Sequence, residues 1–268
     1  MVYGQPALAA SLSQAVVTIS QPFPNPDISA STTAANVVTV NNSGVTLSAQ
    51  SDIARGSVGL EAEIPAGGYD NNLSAKATWS EGWTGSSLTV SSPIGAVITL
   101  DGTIDTAFYN AWVNGTNWTG FVSLLFQYEL GDDDVFSVSM GADGEAPTIG
   151  ASFDRTNISA NLVFTLDPSD PTKTHFTMSY ATPVISVPTS GFFDALTLSY
   201  QSSGQGPSID AIHTFSSQLG SPDPTVSFVS DSGRPFGIST PEPATAQLEA
   251  VALAAIAVAA ACRSRLRD

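Results

Sequence analysis

The chain is poor in cysteine, in basic residues and in charge of either sign. Of its 268 residues a single one is cysteine, Cys262, and it lies in an apolar tail. That excludes an intramolecular disulfide and a zinc site built from cysteine pairs. Charged residues make up 12% of the sequence, about half the usual share. Lys and Arg number 8 against 24 Asp and Glu, a net charge of -16. Three of those arginines (Arg263, Arg265, Arg267) crowd into the last six positions, so residues 1–240 hold Lys76, Lys173, Arg55, Arg155 and Arg234 against 21 acids. Such a surface repels phosphate backbones and anionic headgroups, and no nucleic-acid partner is expected. Enzyme signatures are also missing: there is no G-x-S-x-G elbow, no H-E-x-x-H and no P-loop. The two histidines, His175 and His213, sit in alternating segments without a motif, where a structural or solvated role is expected. The chain is therefore expected to have no catalytic residues and no metal ligands of its own.

Apolar residues nevertheless reach 42% and aromatics 9%, enough to build a core. Runs of alternating apolar and polar residues recur along the body. Examples are Val45–Ala49, Ser57–Ile64, Leu73–Glu81, Ala96–Leu100, Ala107–Val113, Thr119–Leu130, Val135–Met140, His175–Ala181 and Phe192–Tyr200. Gly, Pro, Asn and Asp punctuate them. This pattern predicts an all-β body over 1–231, an antiparallel β-sandwich or jelly roll. Asn41-Asn42-Ser43-Gly44 reads as a four-residue hairpin loop, and Asn114-Gly115 as a two-residue one. Residues 232–243, with their Gly, Ser and Pro, read as a linker.

The Asn114-Gly115 hairpin would place Trp112 opposite Asn117, Asn110 opposite Thr119 and Phe108 opposite Phe121. One face would then combine Phe108, Asn110, Trp112 and Asn117, the mixture of rings and amides that a carbohydrate platform uses. The alternative is an ordinary packed hairpin face, since cross-strand aromatics stabilise sheets unaided. Trp79 and Trp83 would form a second aromatic site. No cofactor is expected. The places where a structural calcium would sit are the acidic turns: Asp132-Asp133-Asp134, Asp143-Gly144-Glu145, Asp167/Asp170 and Asp101/Asp105. None has EF-hand spacing, and the first two flank one strand about 20 Å long, too far apart to share an ion.

The C-terminus has a different composition. Pro241, Glu242 and Pro243 precede an apolar stretch in which Ala250–Cys262 is unbroken for 13 residues. As a helix that stretch spans about 20 Å; counted from Ala244 it reaches roughly 28 Å, close to a ~30 Å hydrocarbon core. Glu249 lies inside it and Arg263, Arg265 and Arg267 follow it, a cytoplasmic basic anchor under the positive-inside rule. Residues 244–268 are thus expected to form a transmembrane helix with a basic end.

This three-part tail, Pro241-Glu242-Pro243, apolar span and arginines, resembles the PEP-CTERM sorting domain, a tail that also goes by the label ice-binding protein C-terminal domain. The resemblance covers about 30 residues. It implies an exported protein of a Gram-negative bacterium, held transiently in the inner membrane, processed by an exosortase-type sorting enzyme and then released to the cell surface or outside. It also implies a link to exopolysaccharide, biofilm or floc formation. The function expected is structural or adhesive; the alternative is a secreted polysaccharide-active hydrolase or lyase with the same tail. An ice-binding body would need a regular Thr-rich repeat, which the sequence lacks. Met1–Ser20 has no basic-apolar leader, although Pro6-Ala7-Leu8-Ala9-Ala10 resembles a cleavage end, so a start site farther upstream is expected.

Overall fold

A computed structural model describes residues 11–237 apart from 22–26, 34–35, 66–68, 86–91, 132, 154–161, 183–184, 188–190, 213–214 and 222. The elements in chain order are β1 (Leu12–Ser20), β2 (Ile28–Thr32), β3 (Val38–Asn42), β4 (Val45–Asp52), β5 (Ser57–Glu63), β6 (Tyr69–Gly85) and β7 (Ser92–Asp105). A helix, α1 (Thr106–Asn114), follows. Then come β8 (Phe121–Leu130), β9 (Asp133–Asp143), β10 (Thr148–Phe153), β11 (Val163–Leu166), β12 (Lys173–Ala181), β13 (Ile185–Val187), β14 (Phe192–Gly204), β15 (Ile209–Asp210), β16 (Phe215–Gly220) and β17 (Phe228–Ser230).

The strands form two antiparallel sheets. One runs β10-β9-β8-β14-β6-β1-β2, with β17 also on β6. The other runs β11-β12-β7-β15-β5-β4-β3, with β13 on β7 and β16 on both β5 and β7. Period-two alternation decides which side chains meet between them. In β8, Val122, Leu124, Phe126, Tyr128 and Leu130 are buried while Ser123 is exposed. Rings from both sheets interlock: Phe126 of β8 meets Phe176 of β12 at 5.8 Å and Phe215 of β16 at 5.4 Å, both edge-on. The all-β sandwich expected from alternation is what forms.

The outer faces differ. Across the first sheet the register aligns Ser152, Ser137, Gln127, Thr197, Thr78 and Gln14 into a neutral row, with Thr78 and Thr197 hydroxyls 3.0 Å apart. Across the second, Thr165, His175, Thr103, Asp210, Glu61 and Ser48 stand opposite one another, so carboxylates sit mid-sheet.

Some expectations change. Ser43-Gly44 is a two-residue turn with φ of 50° and 85°, so Asn41 and Asn42 belong to the strand. Asn114-Gly115 is no hairpin. It ends α1: Gly115, at φ 62°, donates to the Trp112 carbonyl at 3.2 Å and Thr116 donates to Ala111 at 2.9 Å. These are the paired bonds of a Schellman cap, the other structure that Asn-Gly favours. The 232–243 linker also starts too early, because residues 232–237 pack into the body: Arg234 is buried and Gly237 bridges to Gly220. Pro241, Glu242, Pro243, Arg263, Arg265, Arg267 and the expected transmembrane helix lie outside the described residues. Among those residues no helix is long and apolar enough to cross a membrane.

Candidate functional site

The helix reorganises the proposed platform. Thr106–Asn114 places Phe108 and Ala111 on its buried side, and Phe108 meets Trp118 edge-on at 5.2 Å. Phe108 is therefore core. Asn110 and Asn117 are exposed, and the Asn110 carbonyl accepts from the Asn114 amide at 2.8 Å. Trp112 is half-buried and lies beside two rings absent from the expected set: Tyr109, at 5.8 Å, and Phe164 of β11, at 5.5 Å. Tyr109 and Phe164 are 5.1 Å apart. Phe164 reaches the core through Phe176 at 6.4 Å, so the surface cluster rests on the sandwich interior. Exposed Val113 and Val163 adjoin Trp112 and Phe164 in sequence. The signal for this cluster was the helical spacing of Phe108, Ala111 and Trp112 ahead of Gly115. Phe164 gave none, because its closeness to Trp112 is tertiary.

Trp79 and Trp83 are not a surface site, since both are fully buried on β6. The inward positions of β6 and β14 also carry charge. Asp194 of β14 accepts from the Trp83 indole N–H at 2.7 Å, the Tyr128 hydroxyl at 3.2 Å and the Arg234 guanidinium at 3.0 Å. Arg234, with a side chain 3% exposed, also donates to the Ser217 carbonyl at 2.7 Å and hydroxyl at 2.8 Å. Its guanidinium lies 4.4 Å from the centre of the Trp79 ring and 5.6 Å from that of Trp83. Burial pushes the Asp194 carboxyl up, against the pull of Arg234 and the other donors, and holds the Tyr128 phenol protonated. This cluster is closed to solvent and has a structural role.

A groove of about 330 Å³ opens on the outer face of the second sheet, lined by Glu61, Glu63, Asp105, Lys173, Ser208 and Asp210 among others. Glu61 stands directly opposite Asp210. Partial burial, then Asp210, then Glu63 push its carboxyl up. Burial likewise raises Asp105, although the Ser208 N–H donates to it at 2.7 Å. Of these acids, sequence reading had singled out Asp105 alone, because only strand register brings Glu61 to Asp210.

The remaining acidic turns stay apart. Asp133 and Asp143 begin and end β9, and Asp132 lies outside the described residues. Asp167 Oδ1 accepts from the Ser169 hydroxyl at 2.6 Å and N–H at 2.8 Å, and its Oδ2 lies 3.0 Å from His175 Nε2. The Ser169 donors first, and then His175, hold the Asp167 carboxyl well below the usual range. The serine bonds the aspartate and not the histidine, so this turn lacks the order of a nucleophilic triad. His213 lies outside the described residues. Among those residues no three His, Cys, Asp or Glu side chains converge as a metal-ligand set.

Fold and sites together define a β-sandwich with a surface aromatic cluster and an acidic groove. Neither protein-family models, nor curated proteins, nor solved structures match the chain.

Proposed function

We propose that this chain is an exported surface or extracellular-matrix protein with a structural or adhesive role toward exopolysaccharide. An exosortase-type enzyme would deliver it by acting at Pro241-Glu242-Pro243. The observation that carries the adhesive part is the half-buried trio Tyr109, Trp112 and Phe164, set on the core. Partly exposed rings stack on the apolar faces of sugars. Trp112→Ala and Tyr109→Ala are each expected to weaken co-sedimentation with matrix polysaccharide from the producing cells while leaving the fold intact. Retention of both variants on the polysaccharide at the native level would sink the adhesive reading. The sorting reading has its own test: Glu242→Ala should leave the chain uncleaved in cells that carry an exosortase, and normal processing of that variant would refute it.

A second reading rests on the groove. Two facing carboxylates, one pushed up by partial burial and by the charge of the other, are the equipment of an acid–base polysaccharide hydrolase or lyase. Reducing ends released by the native chain and lost in Glu61→Gln would favour it over adhesion; no release from any matrix glycan would eliminate it.

A further inference from the structure

The last described segment, Val226–Gly237, is tied into the interior by hydrogen bonds and ring contacts along its length. β17 pairs with Trp83, Thr84 and Gly85 of β6, in the lane that β1 leaves open after Leu12 meets Ser80. Asp231 then donates to the Gly82 carbonyl at 3.0 Å. Ser232 gives both its N–H (2.8 Å) and its hydroxyl (2.5 Å) to Glu81, a carboxylate only 1% exposed. Ser230 Oγ holds the Arg234 carbonyl at 3.1 Å. The Arg234 guanidinium passes between the sheets to Asp194 of one and Ser217 of the other. Phe236 closes edge-on over Trp83 at 5.8 Å and also meets Phe228 at 5.2 Å. Gly237 finally donates to Leu219 and accepts from Ser221, both at 3.1 Å.

What this segment covers could not close over by itself. Without it, among the described residues, Asp194 is a buried carboxylate with no cation, and Glu81 keeps just the Ser11 hydroxyl at 3.2 Å among its side-chain donors. Apolar collapse cannot satisfy either group. The backbone is shaped to admit the bolt: a Cβ on Gly56, at φ 64°, would lie 2.7 Å from Arg234 Nε and from the Ser217 carbonyl.

We propose that Val226–Gly237 is a closing strap bolted by Arg234, which undocks only when the sandwich as a whole opens. Val226–Gly237 is thereby fixed to both sheets. The latch stands independently of the adhesive and sorting readings. If those also hold, load on an anchored C-terminus enters the body through Arg234.

Hydrogen exchange on the full chain tests the latch without any glycan or sorting enzyme. In the native protein the amides of Asp231 and Gly237 should exchange as slowly as those of β6 and β14. In Arg234→Lys, which keeps the charge and loses the fork, strap amides should exchange at least about tenfold faster while β8 and β9 keep their protection. Native strap amides exchanging far ahead of β6 and β14, or an Arg234→Lys strap exchanging at the native rate, would overturn the proposal. The native measurement needs no variant to fold.

Discussion

Two groups of aromatic rings occupy this sandwich, and they differ in what surrounds them. Trp79 and Trp83 lie inside, with Phe192 stacked on Trp83 at 6.0 Å and the Arg234–Asp194 pair alongside. Tyr109, Trp112 and Phe164 lie half-exposed between a helix and an edge strand. Both groups are rings near polar side chains, the composition expected of a sugar platform. Burial separates them. The inner group has spent its surface on a charge that must be held dry, whereas the outer group still has surface to offer a ligand.

Removing Arg234 should break that contrast most strongly. Arg234→Met leaves Asp194 unpaired and should cost about 3–5 kcal/mol in urea unfolding. Arg234→Met combined with Asp194→Leu should recover most of the loss, because the pair's desolvation cost goes with the pair. If the double variant is as unstable as the single one, the ion pair is not what the interior needs. Gly56→Ala should come next, at roughly 1–3 kcal/mol, through its clash with Arg234 and its left-handed φ. The outer group should behave differently: Trp112→Ala gives up ring contacts worth about 1 kcal/mol and leaves the fold standing.

The smallest effect belongs to the groove. The Glu61 carboxyl is raised above its ordinary 4.5, so the folded state holds that proton more tightly than the unfolded chain does. Stability is therefore lost as pH rises from 4.5 through the raised value. Glu61→Gln should stabilise by a few tenths of a kcal/mol at pH 7, after discounting for partial exposure, and by nothing below pH ~4. Thermal melts at both pH values check the sign; a Gln variant that is less stable at pH 7 would contradict it.

The sheet strands were legible because their pattern is local. Alternation in β8, β12 and β14 marks which face is buried, and the fold honours it. Ala107–Val113 shows where that reasoning fails. Phe108, Asn110 and Trp112 alternate, but Phe108, Ala111 and Trp112 also suit a helix, and Asn114-Gly115 serves a helix cap as well as a hairpin. The strap was hidden by composition. Gly233 and Pro235 flank Arg234 and suggest a linker, while its partners Asp194 and Ser217 lie 40 and 17 residues away. A local signal did exist: Asp194 interrupts the inward series Phe192, Leu196, Leu198 and Tyr200, and Glu81 sits between Trp79 and Trp83. A charge at an inward strand position implies a partner that the alternation itself does not supply. The groove gave no such signal, because Glu61 and Asp210 become neighbours only through pairing of β5 with β15.

The most direct test of the functional account is a binding isotherm of the native protein and Trp112→Ala on matrix polysaccharide from the producing cells, with a thermal melt of each. The account predicts affinity weaker by up to about tenfold in the variant, consistent with the loss of one stacked ring, and a melting temperature only a few degrees lower. Equal affinity in a folded Trp112→Ala chain would contradict it.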